Sequence, residues 1–386
     1  MKRNLRYSLS LLVIAWLLGF ISVRADDHAP SRSAVFFIGD GMGPEIVSIV
    51  KLYAERALGQ DLNMVLLANG GATGYMTTHS EDRMVTDSAA SGTAMATGHG
   101  TNNGMVGVTP DGSPVENLFE RALADGKAVG VVTTTSVTDA TPASFMAHVT
   151  SREMEFDIAR QIVEGGASVV MGGGMSYFLP PREGRRPDGL DLTETAHTNG
   201  FDVVFDKSQM QAAAGKRLLG LFAEDDMPYE RIRGTDQVPS LAEMTAKALE
   251  ILALDPDGFV LVVEGGRIDH AEHENSIADA VADFLAFDEA IGEGMAYQDQ
   301  DSTLTIVVSA DHDCGGPAIT AAGYGYPSYN QVDEIAEDSC RFVRWVSGGH
   351  TGTMVPVFAR GPGCERFSGI QANTELYYDF ASLLGL

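Results

Sequence analysis

Basic residues are scarce in this sequence: 26 Lys and Arg stand against 53 Asp and Glu in 386 residues, a formal net charge of −27. Nucleic acid is a poor partner for such a chain, because phosphate backbones are bound by basic surfaces that it could assemble only locally. The same balance argues against an anionic membrane surface. Cysteine is nearly absent, with Cys314, Cys340 and Cys364 alone. Their odd number permits one disulfide without fixing its pair, so the fold does not rest on a disulfide framework. There is no repeat, no low-complexity tract, and no apolar run of the ~20 residues that span a bilayer. What is present is an ordinary globular composition, 44% apolar and 20% charged, which sets the chain apart from disordered, collagenous and coiled-coil sequences.

The first 25 residues are of another kind. Lys2, Arg3 and Arg6 precede an almost wholly apolar stretch at residues 9–23, and Val23-Arg24-Ala25 puts small residues around a cleavage point before Asp26. That order is the order of a secretory signal peptide, and the apolar run is too short for a stable membrane anchor. The expectation is therefore a signal peptide at 1–25, one large domain at 26–386, and a periplasmic or extracellular location. Without Lys2, Arg3, Arg6 and Arg24, the remaining 361 residues carry 22 basic and 53 acidic groups, a net of −31. Self-repulsion of that size costs stability at low salt and suits saline surroundings.

Along the rest of the chain, short apolar runs alternate with helical periodicity. Runs at 34–38, 128–132, 168–171, 259–263, 303–309 and 355–359 predict strands, and the stretches 45–58, 153–164, 241–254 and 277–291 predict helices. Nearly continuous apolar strands separated by helices predict an α/β fold, a central and mostly parallel sheet covered on both faces. The segment 180–189, rich in Pro, Gly and Arg, reads as a surface loop.

Ligands in such sheets gather beyond the carboxyl ends of the strands. Asp40 follows the first predicted strand, Glu264, Asp269, His270 and His273 follow the run at 259–263, and Asp311 and His312 follow the run at 303–309. His350 comes after the Gly348-Gly349 turn. Taken singly, an Asp after a strand is usually a cap and a His usually a satisfied polar side chain. Taken together, carboxylates and histidines at several strand exits are what divalent cations require, oxygen for Mg²⁺ and mixed oxygen and nitrogen for Zn²⁺. Asp269 and His273, four apart, would share one helix face.

Ser88 opens the small-residue stretch Ser88-Ala89-Ala90-Ser91-Gly92, which suits a helix whose start presents a hydroxyl toward an anion. The segment alone equally describes a helix cap. No Ser/His/Asp triad or GxSxG elbow is apparent, so metal activation is the economical route to a serine nucleophile.

These residues carry a resemblance. From Ile38-Gly39-Asp40-Gly41-Met42-Gly43 through Thr86-Asp87-Ser88-Ala89-Ala90, Asp139-Ala140-Thr141-Pro142 and Ala147-His148-Val149-Thr150-Ser151-Arg152, the chain resembles an alkaline phosphatase. The likeness continues through Glu264-Gly265-Gly266-Arg267-Ile268-Asp269-His270, His273, Ala310-Asp311-His312-Asp313 and Gly349-His350-Thr351-Gly352. Carried over, it implies one Zn²⁺ on Asp269, His273 and His350, and a second on Asp40, Asp311 and His312 beside the nucleophile Ser88. It further implies a Mg²⁺ on Asp40, Thr141 and Glu264 with Asp139 behind it, and Arg152 as the phosphate clamp. The substrates implied are phosphate monoesters, with inorganic phosphate as product, and family members are commonly homodimers.

The pair Asp139 and His270 is mixed, since Asp139 resembles the bacterial pattern while His270 stands where animal members carry histidine and some bacterial members lysine. The interval from His312 to His350 is too short for the crown insertion of animal enzymes. Two other readings stand beside the main one: a phosphodiesterase or sulfatase of the same metal-hydrolase superfamily, and a non-catalytic periplasmic protein that binds metal or phosphate. The Ser88 segment lacks the Pro and Arg of a sulfatase site, and Ser88, Thr141, Glu264 and Arg152 together favour monoesters.

Overall fold

A computed structural model describes residues 33–321 and 325–386. The expected signal peptide and its boundary with the domain lie outside the described residues. A single sheet of ten strands organises the chain, with helices packed against it. Its strands in chain order are β1 (Ser33–Gly39), β2 (Ala72–Thr77), β3 (Ala128–Ser136), β4 (Val169–Gly173), β5 (Asp202–Val204), β6 (Leu218–Leu221), β7 (Phe259–Gly265) and β8 (Leu304–Ser309). Two short pairs follow, β9 (Asp313–Cys314) with β12 (His350–Thr351) and β10 (Ala318–Ile319) with β11 (Val343–Arg344), before β13 (Val355–Arg360) and β14 (Gly369–Ala372) rejoin the main sheet. The order across it is β14-β2-β13-β8-β1-β7-β3-β4-β6-β5.

All neighbours in this sheet run parallel except β13, which is antiparallel to both β8 and β2. The mostly parallel α/β fold expected from the sequence is thus the one observed. Every residue of β1 and β7 is buried, as strands covered on both faces must be. Phe36 and Phe37, adjacent in β1, face opposite ways: Phe36 meets Phe145 edge-to-face and Phe380 at a tilt, and Phe37 meets Phe287 edge-to-face. The two faces of one strand therefore anchor two separate layers of apolar packing.

The predicted helices recur with shifted ends. The periodicity at 45–58 becomes the helix Pro44–Tyr53 followed by a wider π-type turn at Ala54–Leu58, which Gly59 ends at φ 68°. The stretch at 277–291 extends to the helix Ile277–Gln298. Arg186 departs from the exposure expected of its loop: it is only 2% exposed and donates to the carbonyls of Phe156 and Tyr177. No helix among the described residues is long and apolar enough to cross a membrane.

Candidate active site

The register of the central strands levels their carboxyl ends. Ile38 of β1 lies opposite Glu264 of β7 and Ser309 of β8, and Glu264 lies opposite Thr133 of β3. Asp40, Asp311 and His312 leave two of these adjacent strands, and Glu264 ends a third. The turn after β1 needs glycine, because Gly41 sits at φ 72° and a Cβ there would come within 2.9 Å of Glu272 Oε2.

Ser88 begins the helix Ser88–Thr97, whose cap is Asp87, with its carboxylate accepting from the Ala90 amide at 3.0 Å. The serine is 4% exposed, and its Oγ lies 3.2 Å from His312 Nε2. The same Nε2 faces Asp311 Oδ2 at 3.1 Å and Asp40 Oδ1 at 3.5 Å. Asp311 is oriented by the amides of Gly41 and His312. Burial holds His312 down to about 4 and pushes Asp311 up to about 6. Asp40 is driven well above the carboxylate range, first by burial and then by Asp311, Asp269 and Glu264. So many carboxylates in one dry space call for a compensating positive charge.

A second group surrounds Asp269. Asp269 and His273, one turn apart on the helix Arg267–His273, approach to 3.3 Å, and His350 Nε2 lies 3.6 Å from Asp269 Oδ1. Each histidine turns Nδ1 to a carbonyl, His273 to Gly348 at 2.9 Å and His350 to Thr86 at 2.8 Å. A proton on each Nδ1 leaves a lone pair on each Nε2, yet the two Nε2 atoms stand only 3.0 Å apart. Two lone pairs at that distance repel unless a cation lies between them. Spacings of 3.0 to 3.6 Å also match the edge of a tetrahedron built on Zn–N bonds of about 2.0 Å, which is roughly 3.3 Å. The donor set fits zinc.

A third group is Thr141, Glu264 and Asp40. Thr141 Oγ1, Glu264 Oε1 and Asp40 Oδ1 are buried without a hydrogen-bond partner. Burial pushes Glu264 up to about 8, with the Asp139 charge adding to it. All-oxygen donors of this type fit Mg²⁺.

Arg152 sits between two carboxylates, donating to Asp139 Oδ1 at 2.7 Å and toward Asp87 Oδ2 at 3.5 Å. Its burial works against the charge, but Asp139 and Asp87 more than offset it and the guanidinium is held firmly charged. His270 Nδ1 lies 2.7 Å from Arg267 and 3.4 Å from Asp226. The sequence alone gives no role to Asp87 or Asp226, nor to Cys314 as a ligand; the Cys314 sulfur joins Asp269, His273 and His350 in one group of ligand-type atoms lying within 4.8 Å of one another. Cys314, Cys340 and Cys364 are all free thiols, so the permitted disulfide does not form.

Comparison with known proteins places the sequence and the fold in one family. The alkaline phosphatase family profile matches residues 31–339. The repressible alkaline phosphatase of Saccharomyces cerevisiae is 36% identical over 370 residues, covering 87% of this chain and 65% of the yeast protein. An alkaline phosphatase of Escherichia fergusonii is 30% identical over 92% of this chain and 86% of its own length. Among solved structures, that of the Thermus thermophilus alkaline phosphatase superposes with a TM-score of 0.86 at 31% identity, over 92% of each chain.

Proposed function

The chain belongs to the alkaline phosphatase family, and we propose that it is an exported enzyme hydrolysing phosphate monoesters through a phosphoserine on Ser88. The observation that carries this reading is the Ser88 hydroxyl itself, 3.2 Å from His312 Nε2 and at a helix start. It is the nucleophile-type group that meets both the carboxylate and histidine cluster and a helix N-terminus favourable to anions.

In the proposed cycle, Ser88 Oγ attacks phosphorus, the Oγ–P bond forms as the ester P–O bond breaks, and the alcohol leaves with a proton. Water then cleaves the phosphoserine, which releases inorganic phosphate and restores the hydroxyl. Arg152 holds two phosphoryl oxygens, and Asp87 and Asp139 keep its planar fork aimed. The backbone amides opening Ser88–Thr97 favour the developing negative charge. Asp269, His273 and His350 would hold one zinc ion, Asp40, Asp311 and His312 a second, and Asp40, Thr141 and Glu264 a magnesium ion. Bound there, the ions supply a lowered pKa for the attacking hydroxyl and neutralisation of phosphoryl charge. What supports this metal set is the facing lone pairs of His273 and His350 and the orphaned oxygens of Asp40, Thr141 and Glu264.

The test is acid quenching during turnover of labelled phosphate or a labelled monoester, followed by mapping of the label. Label on Ser88 is the expected result. Label on another residue, or hydrolysis of bis(nitrophenyl) phosphate faster than of nitrophenyl phosphate, would overturn the reading.

A further inference from the structure

Cys314 is buried at 0% exposure, and its sulfur belongs to the same tight group as Asp269, His273 and His350. Its placement follows from the backbone. In the short antiparallel pair of β9 and β12, Cys314 is directly opposite His350, and Asp313 is opposite Thr351. Directly opposed residues send their side chains to one face and their neighbours to the other. Thr351 Oγ1 accordingly meets Asp313 on the far side, while Cys314 and His350 turn together toward Asp269. The sulfur lies within 4.8 Å of an Asp269 carboxylate oxygen and of a ring nitrogen of His273 and of His350. A second observation points to an ion in the same place: Asp269 Oδ1 is buried without a hydrogen-bond partner, and the Nε2 atoms of His273 and His350 face each other at 3.0 Å.

We propose that Cys314 is a fourth protein donor to the metal ion of Asp269, His273 and His350, giving this site a sulfur ligand. The inference rests on the zinc reading of that cluster. On binding, the S–H bond gives way to a sulfur–metal bond and the proton passes to solvent, so loading this site releases one proton from the thiol. Zinc tolerates a fifth ligand, which leaves an ester oxygen a place at the ion. Thiolate is a soft donor, and it biases the site toward Zn²⁺ and Cd²⁺ over Mg²⁺ and Mn²⁺. Cys340 and Cys364 belong to neither group of ligand-type atoms found among the described residues.

The experiment uses the full chain carrying Cys340→Ser and Cys364→Ser, so that Cys314 is the sole thiol. It is stripped of metal and reloaded with Co²⁺, with metal content and nitrophenyl phosphate hydrolysis measured in parallel. A near-ultraviolet sulfur-to-cobalt charge-transfer band is expected, and it should vanish when Cys314→Ser is added. The same substitution should weaken Cd²⁺ at the site by about tenfold or more while changing Mn²⁺ little. Two bound cobalt ions and monoester hydrolysis with no such band would overturn the sulfur ligand and leave the phosphatase reading standing. A protein that binds no metal and hydrolyses no monoester would overturn both. The band is read in the protein that still holds Cys314, so the outcome does not depend on the folding of the Cys314→Ser variant.

Discussion

The guanidinium of Arg152 is tied to the carboxylate of Asp139 by a 2.7 Å ion pair whose two side chains are each less than one-third exposed. A clamp held this way is aimed before substrate arrives. Asp139→Ala should therefore weaken inhibition by inorganic phosphate, by about tenfold, while Asp139→Asn should retain most of the tether. Inhibition constants for phosphate in the two variants decide it; equal values would mean that Asp139 does not set the clamp.

Selectivity should follow from the same residue. A monoester dianion offers the oxygens that Arg152 shares with the metal cluster, whereas a diester has replaced one with a bulky group. Arg152→Ala should reduce kcat/KM for nitrophenyl phosphate far more than for its bis diester. Equal losses on the two substrates would remove Arg152 from substrate binding.

Asp40 faces two of the three candidate ion positions and His273 one. Asp40→Ala should deplete both zinc and magnesium, whereas His273→Ala should deplete chiefly zinc, as measured by metal analysis after gel filtration. Chelation should abolish activity, and zinc with magnesium should restore it better than either alone. Normal metal content in either variant would contradict the ligand assignment.

Much of this arrangement was readable in the sequence, for definite physical reasons. Strands β1, β3, β7 and β8 carry nearly continuous apolar runs because they are buried on both faces, and candidate residues stand at or just beyond their ends, so their exits can be located by inspection. Strand β2, Ala-Thr-Gly-Tyr-Met-Thr, is only partly buried and shows no such run; β6 has four residues, and β14 is a largely exposed edge. The reversal of β13 left no trace, because a buried strand carries the same apolar pattern in either direction. In the sequence Cys314 is legible only as a possible disulfide partner, since its placement depends on the register of β9 against β12, two strands too short to announce themselves.

Away from the metal cluster, Asp283 provides a stability test. It is 6% exposed on the helix Ile277–Gln298, accepts from the Glu230 amide at 3.2 Å, and faces Arg267, Glu230 and Asp279. Burial pushes it up to about 7, against roughly 3.9 in an unfolded chain. The folded form therefore keeps its proton while the unfolded form loses it, and stability falls as pH rises from about 4 to about 7. Asp283→Asn removes that loss. The variant should match the parent near pH 4 and exceed it at pH 8, by something on the order of 2–4 kcal/mol; denaturant melts at both pH values would expose a wrong sign.

The acidic surface predicts a salt response. Long-range repulsion of phosphate dianions is screened before contacts inside the pocket are, since the Debye length falls from about 10 Å at 0.1 M to about 3 Å at 1 M. With zinc and magnesium saturating, both kcat/KM for a small anionic monoester and the melting temperature should rise or hold as NaCl increases toward molar. A decline in both would leave the acidic residues as an ordinary solvated surface.

Because the candidate ligands run from Asp40 to His350 along the chain yet meet beyond the ends of the central strands, the complete site cannot exist before β1, β7, β8 and β12 have come together. Contacts of such long sequence separation form slowly. An ion held by Asp269, His273 and His350 joins the helix after β7 to β12, binds only the folded chain, and so stabilises all of it by mass action rather than one loop of it. Recovery of activity during refolding should for that reason trail the recovery of helical signal, and a chain released before residue 350 is made would carry most of the sheet and no catalyst.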